Sequence, residues 1–116
     1  MSGISNPGFR WVTAPREMMS IRRAGKLHRG RYLFIWVMDG PAGEELPAVA
    51  VVTARGFPSA IRRNLARRRA RGGIMDVRDL LEPRHSYLVE GRPGAEEANY
   101  QLLVEEIKKA LTGTRD

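Results

Sequence analysis

Residues 48–71 read Ala-Val-Ala-Val-Val-Thr-Ala-Arg-Gly-Phe-Pro-Ser-Ala-Ile-Arg-Arg-Asn-Leu-Ala-Arg-Arg-Arg-Ala-Arg. The first six residues are apolar or β-branched and predict a strand over 48–53, apolar enough to be central. Gly56-Phe57-Pro58 breaks that strand. Ser59 suits an N-cap, because its hydroxyl can accept from a free N–H of the first helical turn. Ala60 to Arg71 permits a helix, with Phe57, Ile61 and Leu65 four apart as its expected apolar side. Gly72-Gly73 is expected to end or kink it.

On that helix Arg63, Arg67 and Arg71 fall at i, i+4 and i+8 along one side. Arg62 and Arg69 form a second row roughly a quarter-turn away. From Arg55 to Arg71 there are seven arginines and no acid. Like charges this dense repel by a few tenths of a kcal/mol, roughly, per i,i+4 pair. The phosphates of a nucleic acid relieve that repulsion and release counterions. Arg55, Arg62, Arg63, Asn64, Arg67, Arg68, Arg69 and Arg71 are therefore the candidate RNA-binding residues.

Charge elsewhere agrees. The chain has 20 Lys+Arg against 13 Asp+Glu, a net charge of +7 over 116 residues, which points to a polyanionic partner. The surplus is mostly Arg, whose planar fork engages phosphate in two places and stacks on bases. From Met1 to Met38 there are seven cations and one acid, Glu17, whereas residues 83–116 hold five cations and six acids. The C-terminal segment is thus expected to be structural.

Outward from the basic helix, residues 1–14 show no period and are expected to form a flexible arm. A helix is expected from Pro15 to Ala24, with Met18 and Ile21 as its apolar stripe and Gly25 as its stop. Lys26 to His28 suggests a short companion strand and residues 31–38 a strong strand, followed by a Gly/Pro-rich loop to Pro47. Asp76 to Leu81 allows a helical turn or two. Ser86 to Glu90 reads as a short strand, Arg92-Pro93-Gly94 as a turn, and Ala95 to Leu111 as an amphipathic helix. Tyr100, Leu103, Val104, Ile107 and Leu111 line its apolar side, with Glu96, Glu97, Glu105 and Glu106 on its wet side. The order is α-βββ-α-β-α within one domain over 15–116.

Several classes are excluded or unsupported. There are no cysteines, so disulfides and cysteine-bound zinc are out, and the chain suits a reducing cytoplasm. No stretch reaches the ~20 apolar residues of a membrane span. Met1 to Arg10 lacks an apolar signal core, so no export signal is expected. His28 and His85 are too few for a histidine metal site. Ser59 has no evident His partner, the Glu pairs read as surface, and Asp76 with Asp79 reads as a cap or surface pair. No catalytic constellation is visible. Tyr32, Phe34 and Trp36 alternate along one strand face; such rings stack on unpaired bases at roughly 1–3 kcal/mol each. Phe34 and Trp36 read more readily as core under a helix.

Residues 60–71 resemble the signature of the bacterial ribonuclease P protein, approximately Ala-Val-x-Arg-Asn-Arg-Ile-Lys-Arg-x-x-Arg-Glu. Ala60, Ile61, Arg63, Asn64, Arg67, Arg68 and Arg71 fall on matching positions. Met18 to Arg31 is similar to the family's helix-to-strand entry, and the strand before the basic helix also has its counterpart. The chain departs from the signature at Leu65, at Gly72, and in the lead-in Arg55-Gly56-Phe57-Pro58. The resemblance implies a small two-layer α/β sandwich of the α+β class, with a left-handed β-α-β crossover carrying the basic helix. It implies ribonuclease P RNA and precursor tRNA as partners. Hydrolysis at the 5′ end of mature tRNA would be performed by that RNA with Mg²⁺, no cofactor being held by the protein alone. It further implies a groove for the tRNA leader, for which Met18, Arg22, Arg23, Lys26, Arg29, Arg31 and Tyr32 are the candidates. The free protein is expected to be a cytoplasmic monomer. Two other readings stay open here: a generic RNA- or ribosome-binding module, and a small enzyme for a phosphorylated metabolite. The enzyme reading lacks a glycine-rich phosphate loop, since Gly72-Gly73 follows a helix where a cradle would precede one.

Overall fold

The computed structural model describes residues 8–40 and 45–113. Five strands are present: β1 (Arg10–Trp11), β2 (Lys26–Arg29), β3 (Leu33–Asp39), β4 (Ala48–Thr53) and β5 (His85–Gly91). Three helices join them: α1 (Pro15–Ala24), α2 (Ala60–Asp76) and α3 (Tyr100–Gly113). The strands form one sheet in the order β1-β4-β5-β3-β2. β4 and β5 are parallel neighbours, so α2 is a β-α-β crossover. β3 runs antiparallel to both β5 and β2. This is the expected α+β order with one strand added at the N-terminus.

That added strand corrects the expectation of a loose arm over residues 1–14. Arg10 and Trp11 pair in parallel with Ala48 and Val49. Phe9 and Val12 on either side are buried. Residues 1–7 lie outside the described residues.

Strand alternation sends side chains to two faces. Leu33, Ile35, Val37, Val49, Tyr87 and Val89 join the core under α2 and α3. Trp36, Ala48, Ala50 and Leu88 join Ile21 of α1 on the other face. Ile21 is the one residue that α1 buries, so this second face is thinly covered, and Phe34, Met38 and Val52 are only partly buried.

α2 contradicts two expectations. It runs straight through Gly72 and Gly73 to Asp76. A Cβ on Gly73 would lie 2.7 Å from Ile107 Cδ1, so the glycine sits where the Ile107 side chain of α3 crosses the helix. The expected apolar side is also not the buried one: Ile61 is 80% exposed, and the helix buries Ala66, Ala70, Gly73 and Ile74 instead. Small residues win there because α2 sits close to the sheet; Ala66 Cβ is 3.7 Å from where a Cβ on Gly91 would stand.

α3 begins at Tyr100, not Ala95. The Asn99 side chain accepts from Gln101 N–H at 2.8 Å, the geometry of a cap. Residues before it fold into turns, with Ala95 N–H donating to Arg92 carbonyl at 2.9 Å and Gly94 N–H to Glu96 Oε1 at 2.8 Å. Gly94 has a φ of +106°, open chiefly to glycine. Glu96, expected on the wet side, is therefore buried. Glu106 departs from the wet side too. Its carboxylate accepts from the backbone N–H groups of Arg31, Tyr32 and Leu33 at 2.9–3.2 Å and ties the β2–β3 turn to α3.

The ends of α2 and α3 are pinned by Tyr100, whose hydroxyl donates to Asp76 Oδ2 at 2.5 Å. Desolvation first, then this carboxylate, pushes the phenol up to about 12 from its ordinary 10. The folded value lies above the unfolded one, so the stabilisation is whole below pH 10 and is lost as pH climbs from 10 toward 12. In an ultraviolet titration, Asp76→Asn should lower the pH at which tyrosine ionisation is complete, because Tyr100 loses the carboxylate that helps to raise it. Superimposable titration curves for parent and variant would show that the contact does not hold.

Candidate nucleic-acid interface

Ser59 starts α2 as expected, its hydroxyl accepting from Arg62 N–H at 3.2 Å. From there the 3.6-residue period, together with the narrow buried side at Ala66 and Ala70, distributes the arginines. The two rows expected from spacing have different fates.

The second row is tied inward. Arg69 donates to three backbone carbonyls, those of Ala95 at 3.1 Å, Glu96 at 2.8 Å and Ala98 at 2.5 Å. Arg62 pairs with Glu97 at 2.9 Å and approaches buried Glu96 at 3.8 Å. These two guanidiniums hold the turn before α3, Arg69 through carbonyls and the half-exposed Arg62 through ion pairs. Arg69 has its donors spent on these carbonyls.

The first row is free to act. Arg63 and Arg68 are exposed and reach no partner among the described residues. Arg67 donates to Asn64 Oδ1 at 3.2 Å, so Asn64 orients a cation. Arg71 lies over the Trp11 ring, 4.4 Å from its centroid. Arg55 is exposed just beyond β4. No acid of the described residues pairs with Arg63, Arg67, Arg68 or Arg71. Ile61 and Leu65 are exposed on the same helix, giving apolar contacts beside the charges.

The leader candidates divide likewise. Arg22 lies 4.6 Å over Trp36 and pairs with Glu90 at 3.3 Å. Arg29 lies 5.8 Å over Phe34. Met18 packs on this same α1 side. Arg92, which was not singled out from sequence, joins them at 4.2 Å over Phe34 and 2.8 Å from Glu90. Its signal was the strand register: Glu90 pairs with Phe34, so a charge two residues past Glu90 returns to the same face. Tyr32 is not with Phe34 and Trp36. It packs toward the α3 side, with Arg31 at 5.2 Å over its ring. Lys26 alternates to the face opposite Leu27, and exposed Arg23 donates to Met19 Sδ at 3.6 Å. His28 is half-buried beside the end of α3; burial first, then Lys26, holds its imidazole below the ordinary value.

With this geometry in view, the profile of the Ribonuclease P family matches residues 10–115. The chain belongs to the ribonuclease P protein family. The ribonuclease P protein components of two Mycobacterium strains, KMS and MCS, are each 33% identical over 79 residues. That match covers 68% of this chain and spans about 64% of the length of those relatives. The fold agrees with solved ribonuclease P proteins from two other bacteria. The Thermotoga maritima protein superposes with a TM-score of 0.74 at 18% identity, over 90% of this chain and 96% of that one. The Staphylococcus aureus protein gives 0.73 at 12% identity, over 90% and 94%. Within the family signature, the matching arginines Arg63, Arg67, Arg68 and Arg71 have no acid partner among the described residues. Arg62 and Arg69, which fall outside it, are the two tied inward.

Arg69→Met should therefore cost about 2–3 kcal/mol, since it leaves buried carbonyls without a charged donor. Arg68→Met should stay within about 0.5 kcal/mol. Urea denaturation of both variants checks this; equal stabilities would mean the two rows are not different.

Proposed function

We propose that this chain is the RNA-binding protein component of ribonuclease P and assists its catalytic RNA in removing 5′ leaders from precursor tRNA. The observation that carries this is the acid-free group Arg63, Arg67, Arg68 and Arg71, with Arg67 half-buried and the other three exposed, on the helix that bears the family signature. Guanidiniums spaced one helical turn apart meet successive phosphates and release their counterions. Asn64 holds Arg67 in place for that contact.

The α1 side supplies the leader-binding surface in this reading. Arg22, Arg29 and Arg92 over Trp36 and Phe34 offer cations to a backbone and flat groups to unpaired bases. The role is binding and orientation of the substrate against the RNA. Hydrolysis is the RNA's, using the Mg²⁺ it holds. The described residues gather no group of three or more His, Asp or Glu able to hold a metal. Ser59, the one hydroxyl singled out as a nucleophile candidate, is spent on the α2 cap.

Reconstitution tests the reading. Purified protein is mixed with a bacterial ribonuclease P RNA at low Mg²⁺, and cleavage of precursor tRNA is followed. Stimulation by at least about tenfold over RNA alone is expected, with Arg67→Glu/Arg68→Glu abolishing it. Tight RNA binding with no stimulation would replace this reading with a general RNA-binding module.

A further inference from the structure

A groove at the β1 edge of the sheet adds an apolar wall beside Arg67 and Arg71 that the phosphate contacts above do not use. It measures about 250 Å³ and is walled by Trp11, Met18, Val51 and Thr13, with Arg67 and Arg71 lining it too. Its two cations belong to α2, its Met18 to α1, and its ring to β1. No acid lines it.

Trp11 is held firmly for a residue so near the start of the described chain. Its ring meets buried Phe9 edge-on, with centroids 4.7 Å apart. Its strand is fixed by Arg10 N–H to the Pro47 carbonyl at 2.8 Å and by Val12 N–H to the Val49 carbonyl at 2.7 Å. The Arg10 side chain reaches Glu17 of α1 at 2.6 Å and 3.1 Å. That guanidinium also holds the Glu17 carboxyl below the ordinary carboxylate range. β1 is thus a strap that fastens α1 to the sheet and sets an aromatic ring under Arg71.

A guanidinium fixed over a ring loses less entropy on binding phosphate than a free one. A lone phosphate would use the two arginines and leave the apolar wall idle. A paired base in a duplex cannot turn its face into a groove of this size. The ligand that uses both halves is a nucleotide with an unpaired base.

We propose that this groove is a subsite for one unpaired nucleotide of the bound RNA. Its phosphate sits at Arg67 and Arg71, and its base enters the apolar wall of Trp11, Met18 and Val51. Trp11 is a contact for the base and a positioning residue for Arg71. The proposal rests on the RNA-binding reading above and adds a site that the family signature does not contain. The nucleotide comes either from ribonuclease P RNA or from the precursor leader.

Protein carrying 5-fluorotryptophan has two fluorine signals, one per tryptophan, and Trp11→Phe assigns them. Addition of ribonuclease P RNA alone, or of a short single-stranded leader oligonucleotide, should shift the Trp11 signal. Which RNA does so names the source, and either supports the site. Trp11→Leu should weaken binding of that RNA by roughly tenfold or more, and Trp11→Phe by less than about threefold. An unmoved Trp11 signal while RNA is bound overturns the proposal and leaves the function standing. The signal shift is read on the fully folded parent sequence, so a Trp11→Leu protein that fails to fold does not remove the test. Failure of the parent to bind either RNA removes the RNA-binding reading and the subsite together.

Discussion

A helix that buries only Ala66, Ala70, Gly73 and Ile74 must lie close to its sheet. That closeness is the constraint from which the rest follows. Along the arginine-bearing part of α2 only Ala66 and Ala70 are buried, so every arginine on it is driven to a flank or to the outer surface. The flank toward α3 offers carbonyls and carboxylates at residues 95–98, and Arg62 and Arg69 take them. The flank toward β1 offers a ring and open water, and Arg67 and Arg71 take those. Arg63 and Arg68 have solvent alone. One packing decision thus sorts a run of chemically equal residues into a set tied to the turn before α3 and a set without acid partners among the described residues.

The sheet plays a matching part. Its α2/α3 face is closed by a continuous core, while its α1 face has a single short helix across it. Glu90, buried in the middle of that face, gathers Arg22 and Arg92. Their guanidiniums cover Trp36 and Phe34 in place of a second helix. A charged, flat surface arises where a folded domain would ordinarily bury its aromatics, and it lies on the same α1 side as Met18. At the β1 edge, Met18 of α1 lines one groove with Arg67 and Arg71 of α2.

Much of this was legible in the sequence. β-branched runs marked β3 and β4, Ser59 marked the start of α2, and the i, i+4, i+8 spacing separated the two arginine rows. What was not legible depended on contacts between distant residues. Gly72-Gly73 reads as a helix stop unless Ile107 is known to cross there. Ile61 and Leu65 read as core unless the helix is known to approach too closely for them. Glu96 reads as a wet helix residue unless Arg62 is known to reach it. Residues 9–12 carry too few positions to show a period, so their pairing with β4 appears only in three dimensions. Arg69 looked like its neighbours because a count of charges says nothing of carbonyls twenty-six residues away.

The central claim is that four guanidiniums on one side of α2 meet phosphodiesters and two on the other side do not. The most direct measurement is the dependence of RNA affinity on salt, plotted as log K against log[KCl]. Replacing Arg63, Arg67, Arg68 and Arg71 by Gln should flatten the slope by about 3–4 units, at roughly 0.7–0.9 per phosphate lost. Replacing Arg62 and Arg69 by Gln should leave the slope of the folded protein as it was. Equal flattening by both sets, or by neither, would contradict the division on which the interface rests.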